Sequence, residues 1–143
     1  MFQINRKVSH MNSRELIEKA LAARENAYTP YSGFKVGAAL LTEDGKIYTG
    51  VNVENASYGA AICAERTAFV KAVSEGYRSF SAIAIAGGKD GGEMEECWPC
   101  GICRQFMYEF SPDLDVTTGS SADKLVTKKL SELLPEGFTL QNE

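Results

Sequence analysis

A chain of 143 residues, 44% apolar and 24% charged, is sized for one domain with a core of its own. Its net charge of −4 argues against a binder of phosphate backbones, which carries a basic stripe or a strongly basic total. No run approaches the roughly 20 apolar residues that span a bilayer, and Met1–His10 lacks the apolar stretch of a secretory signal. These features lead us to expect a cytoplasmic protein that acts on a small molecule, without nucleic-acid or membrane partners.

Residues 1–12 are polar and aperiodic and read as a flexible N-terminal tail, ahead of a single domain over 13–143. His10, the only histidine, falls in that tail, so histidine chemistry is not expected in the core. A helix is predicted from Ser13 to Tyr28, on the stripe Leu16, Ile17, Ala20, Leu21, Ala23 and Ala27, with Pro30 ending it. Strands follow over Phe34–Thr42 and Ile47–Val53, joined by a turn at Glu43–Lys46. Helix is expected from Cys63 to Ser74, with Gly76 stopping it, and strand over Phe80–Ala86. Gly87–Glu96, rich in glycine and acids, reads as loop. Pro99 is expected to open a helix to about Phe110, followed by a strand at Leu114–Thr118, a polar turn and a short helix near Leu130–Leu134. The order of helices and strands implies an α/β fold, a three-layer α-β-α sandwich around a mixed sheet.

Four cysteines stand at Cys63, Cys97, Cys100 and Cys103. Without an export signal they point to metal or redox chemistry rather than to disulfides. Cys100 and Cys103, three apart at a helix start, project from one side of the first turn, where backbone N–H groups and the helix dipole favour thiolates. Cys63 begins another helix. Glu65, two residues on, reaches the same point as Cys63 only if that point lies beyond the helix end. Three ligands leave one tetrahedral position for water, the arrangement of catalytic rather than structural zinc. Three thiolates around Zn²⁺ leave an excess negative charge, which Arg66 can offset by donating to sulfur; a surface ion pair is the alternative. Cys97 continues the three-residue spacing and could close the shell, but Pro99 is expected to turn it away.

Cys63-Ala64-Glu65-Arg66-Thr67-Ala68 and Pro99-Cys100-Gly101-Ile102-Cys103-Arg104-Gln105 resemble the two signatures of the small homotetrameric cytidine deaminases. The stretches Tyr31–Leu40, Asn52–Tyr58, Lys71–Gly76 and Leu133–Pro135 are similar to that family as well, so the resemblance runs from about Ser13 to Phe138. It implies zinc held by Cys63, Cys100 and Cys103. It also implies hydrolytic deamination of cytidine and deoxycytidine in pyrimidine salvage, with Glu65 moving protons between the attacking water, the base and the departing amine. By the same resemblance the backbone around Ala64 and Pro99–Cys100 reads the base edge, Phe34 lies against the pyrimidine, Asn52 and Glu54 bind the ribose hydroxyls, and Tyr58 and Phe138 approach a neighbouring subunit's pocket in a homotetramer with shared active sites. Phe34 and Tyr58 also read as packing residues. Asn52 and Glu54 also read as turn residues, and Arg104 as a structural salt bridge.

Three other functions fit parts of the pattern. They are deamination of another cytosine-bearing molecule such as a nucleoside antibiotic, a zinc-stabilised binding module, which has no use for Glu65, and a dithiol redox protein, which has no use for Cys63. The Gly87–Trp98 loop and Ile102 depart from the family pattern and bear on the pocket rim more than on the metal.

Overall fold

The computed structural model describes residues 2–141, with side chains described from Ser13 onward. In chain order the elements are helix α1 (Phe2–Arg24), strands β1 (Phe34–Thr42) and β2 (Ile47–Val51), helix α2 (Ala64–Ser74), strand β3 (Phe80–Lys89), helix α3 (Gly101–Tyr108), strands β4 (Asp115–Ser121) and β5 (Lys124–Lys129), and helix α4 (Leu130–Leu133). A short 3-10 turn lies at Tyr58–Ala60.

The five strands form one mixed sheet in the order β2-β1-β3-β4-β5, in which only β3 and β4 run parallel. Strand alternation divides β1 between two cores. Ala38 and Leu40 face a cluster with Phe69, Ile83, Ile85, Cys103 and Met107, which packs α2 and α3 on one face. Ala39 and Leu41 face Leu16, Ile17 and Ala20 of α1 on the other. The expected three-layer sandwich is therefore the observed one. Both layers of the sheet are covered, which is why β1 and β3 read as continuous apolar runs.

Several boundaries differ from expectation. The backbone of α1 is helical from Phe2 rather than from Ser13. The tail expected over residues 1–12, His10 included, has no described side chains, and Met1 lies outside the described residues. At its other end α1 stops at Arg24, before Tyr28, because Tyr28 joins the sheet region instead: its N–H donates to Asn52 O at 3.1 Å and its carbonyl accepts from Glu54 N at 2.9 Å. Arg24 itself is buried, and its guanidinium ties two strand carbonyls, Lys35 O at 3.1 Å and Lys89 O at 2.7 Å. β3 runs on through Gly87–Lys89, where loop was expected, pairing with Phe34–Val36. β5 occupies the segment expected to be a polar turn, and its six residues are almost wholly exposed.

Candidate active site

Two helix starts point at one place. Cys63 is the N-cap residue of α2 and Cys100 that of α3, and neither cap residue makes a side-chain capping hydrogen bond. Pro99 thus precedes the cap instead of opening the helix as expected. Cys103 lies in the first turn of α3. Helix starts leave backbone N–H groups without intrahelical partners, and their positive ends favour anionic sulfur. Arg104 supports the second start. It was expected in a salt bridge, but Nε donates to Pro99 O and Nη1 to Leu133 O, each at 2.7 Å, locking the turn before Cys100 to the end of α4.

The Sγ atoms of Cys63, Cys100 and Cys103 all lie within 4.8 Å of one another, and those of Cys63 and Cys100 are 3.8 Å apart. Tetrahedral zinc with Zn–S bonds of about 2.3 Å separates its sulfurs by about 3.8 Å. The donor set fits that ion in softness, in number and in spacing. Cys97 stays outside the cluster: its N–H donates to Thr118 Oγ1 at 2.9 Å, and burial pushes its thiol up to about 11. The shell among the described residues is therefore three sulfurs, not four.

Charge at the site follows the geometry. Cys63 is depressed to about 5, chiefly by the Cys103 thiol donating to it, with Arg66 and Cys100 adding to the effect against the cost of burial. Cys103 is pushed up as the donor of that pair and by its own burial. Arg66 Nη2 reaches Cys63 Sγ at 3.7 Å, and that contact helps hold the guanidinium charged. The Arg66 Nε is buried with no hydrogen-bond partner among the described residues, so the sulfur contact is the main tie of this cation.

Glu65 is 5% exposed. Burial lifts its carboxyl to about 7, and the negative Cys63 adds to the rise. It lines a cavity of about 290 Å³ together with Cys63, Cys100, Ala64, Asn52 and Glu54. The sequence-predicted residues divide accordingly. Phe34 is not part of that lining, but it stands on the same sheet face, where its ring and Cys97 crowd the place a side chain would take at Gly87 (3.2 and 2.9 Å from an added Cβ). Tyr58, 81% exposed, lines an adjoining groove with Tyr31, Ser32 and Glu54. Phe138, 64% exposed, offers its carbonyl to Gln105 Nε2 at 3.0 Å and lines neither space.

Asn52 and Glu54 already have partners. Asn52 Oδ1 accepts from Val36 N and its Nδ2 donates to Phe34 O, each at 2.9 Å, so the amide continues the strand pairing that β2 breaks off. One donor and one acceptor remain on it. Glu54 accepts from the Ser32 hydroxyl and from the N–H groups of Tyr31 (2.9 Å) and Ser32 (3.1 Å). The hydroxyl bond above all holds its carboxyl below the usual carboxylate range. Two carboxyls thus face one cavity with their pKa values driven apart, the pattern that separates a proton carrier from a fixed anion.

A soft three-sulfur centre open to a pocket that also holds a raised carboxyl places the chain among zinc-dependent hydrolytic proteins. The family described as "Cytidine and deoxycytidylate deaminase zinc-binding region" matches residues 11–118. A cytidine deaminase of Halalkalibacterium halodurans is 47% identical over 133 residues, covering 92% of this chain and 98% of that one. The crystal structure of cytidine deaminase from Burkholderia pseudomallei superposes with a TM-score of 0.78 at 49% identity, covering 87% of this chain and 97% of that one. A blasticidin-S deaminase of Bacillus cereus is 31% identical over 133 residues, covering 89% and 94%. The chain belongs to the cytidine and deoxycytidylate deaminase zinc-binding family.

Trp98, noted in the sequence as the end of a loop that bears on the pocket rim, is a site residue to which the sequence reading gave no role of its own. It lines the cavity beside Cys100, and its signal was an aromatic placed directly before Pro99-Cys100.

Proposed function

We propose that this protein is a cytidine deaminase that converts cytidine and deoxycytidine to uridine and deoxyuridine with release of ammonia, as a step of pyrimidine salvage. The observation that carries the reading is the convergence of the Cys63, Cys100 and Cys103 sulfurs, with Cys63 and Cys100 lining the same cavity as the buried Glu65. A cavity of about 290 Å³ lies at the small end of ligand sites, of nucleoside rather than strand size.

Zinc, when held by the three cysteines, supplies Lewis-acid activation of water. Glu65 accepts one proton from the attacking water and passes it to the ring nitrogen as a C–O bond forms at C4, then accepts the second from the new C4 hydroxyl and passes it to the departing amine as the C–N bond breaks. Arg66 withdraws density from Cys63, and the N–H groups at the start of α2, around Ala64, face the base edge. Asn52, with its remaining donor and acceptor, and Glu54 bind the ribose hydroxyls, and Phe34 lies near the pyrimidine.

Among the described residues no Lys or Arg lines the cavity or the adjoining groove, and the fixed anion Glu54 borders both. Metal analysis is expected to give about one zinc per chain. An absorbance assay is expected to show turnover of cytidine and deoxycytidine, with cytidine 5′-monophosphate disfavoured at least about 100-fold in kcat/KM, because like charges brought together cost several kcal/mol. Equal turnover of the monophosphate would overturn the assignment to free nucleosides, and retained zinc without cytidine turnover would favour a zinc-stabilised binding module.

The catalytic domain is taken as 13–143, preceded by the segment 1–12, and the protein is taken to work in the cytoplasm; no helix among the described residues is long and apolar enough to cross a membrane. The exposed rings of Tyr31, Tyr58 and Phe138 support a homotetramer with shared active sites, since large aromatics left in solvent mark contact surfaces. Sedimentation is expected to give a tetramer, and a fully active monomer would sink the shared-site idea.

A further inference from the structure

Among the described residues, Trp98 is the one aromatic residue lining the cavity that holds Cys63, Cys100 and Glu65. The ring is held from several directions. Its Nε1–H donates to Glu96 Oε1 at 2.7 Å, and Lys128 Nζ, reaching over from β5, stands 5.2 Å from the ring centroid. Behind it lies the core cluster that contains Cys103 and Met107. Pro99, whose φ is fixed by its own ring, joins Trp98 to Cys100. An indole tied at its polar tip, covered by a cation and packed on the core keeps few rotamers, so it forms a stiff wall rather than a mobile flap. The thiol cluster does not explain the clamp, because the starts of α2 and α3 already position the sulfurs.

The chemistry of the base orients it relative to this wall. The ring nitrogen that receives a proton has to face Glu65, which comes from α2. The carbon on the other side of the amine-bearing carbon then faces away from α2, toward the segment that leads into α3, and Trp98 is the large side chain there. Resting on the deaminase reading above, we propose that Trp98 is the specificity-determining wall of the base end of the cavity. It admits cytosine nucleosides that carry hydrogen at C5 and rejects those with a bulky substituent there.

The test compares kcat/KM for cytidine and for 5-bromocytidine in the zinc-loaded full chain and in three variants, with zinc content measured in each. Trp98→Ala is expected to raise the 5-bromocytidine-to-cytidine ratio at least about tenfold, the scale on which pockets discriminate by small increments of volume. Trp98→Phe is expected to give an intermediate ratio. Lys128→Met, which removes the cation from an exposed strand position, is expected to raise the ratio about two- to fivefold by loosening the ring. This variant carries the test if Trp98→Ala does not fold. A Trp98→Ala protein in which both substrates change by the same factor would overturn the proposal, since lost stacking on the base or a disturbed metal centre acts on both alike. A parent protein without cytidine turnover sinks the deaminase reading, whereas an active parent with unchanged ratios in the variants sinks only the wall.

Discussion

Glu65→Gln is expected to lower kcat for cytidine by about 100- to 10,000-fold, while zinc stays at about one per chain. Glutamine keeps the shape that the 5% exposed site requires and leaves Cys63, Cys100 and Cys103 untouched. It can neither take a proton from water nor return one to the base. Stability moves the other way. Burial raises the Glu65 pKa to about 7, so the folded state disfavours the ionised form relative to the unfolded chain, and this cost is present at pH values above the unfolded carboxylate pKa. A neutral amide removes it. The metal-free variant is therefore expected to unfold at or above the midpoint of the metal-free parent at neutral pH. Activity assay, metal analysis and thermal unfolding read the three outcomes separately. An active Glu65→Gln protein removes the proposed proton carrier, and a variant that has also lost its zinc leaves Glu65 as a support of the metal centre instead.

The metal centre was legible in the sequence because its spacing is a local rule. Residues three apart at a helix start share a side, and two residues apart they converge only beyond the end, so Cys63 with Glu65 and Cys100 with Cys103 could each be placed at a helix start, while the meeting of the two starts at one metal was implied by the family resemblance. The strands that failed to show themselves lacked the pattern from which strands are read. β5, Lys124–Lys129, is an edge strand with lysines at 124, 128 and 129 and almost every residue exposed, so it has no apolar alternation; charged residues of this kind also protect an open edge from pairing with other chains. The end of β3 was hidden by Gly87-Gly88, which resembles a turn in sequence. In the fold, Gly87 is a strand residue made small by the approach of Cys97 and Phe34. The partners of Asn52, Arg24 and Arg104 were illegible for a common reason. Each side chain serves backbone carbonyls or N–H groups, most of them from distant segments, and such partners leave no complementary residue type in the sequence.

Gly50→Ala is expected to cost about 3 kcal/mol or more in urea unfolding, at the upper end of overpacking effects, and to lower zinc affinity and kcat/KM together. Gly50 lies on β2 opposite Ala38 and faces α2. A Cβ there would stand 2.4 Å from Ala68 N and 2.5 Å from Ala64 O. Both are backbone atoms of the helix, so no rotamer change relieves the contact and α2 itself has to lift from the sheet. The same helix carries Glu65 in its first turn and Cys63 as its cap, so a shift that makes room at Gly50 moves the proposed ligand and the proposed proton carrier relative to Cys100 and Cys103 of the α3 start. The closeness of α2 to β2 thereby links packing to the metal centre. Trimming the neighbouring side chain by Ala68→Gly is not expected to rescue Gly50→Ala, since the obstacle is main chain. Full rescue by that second substitution, or a destabilised Gly50→Ala protein with unchanged zinc affinity, would show that the helix can yield locally without carrying the site with it.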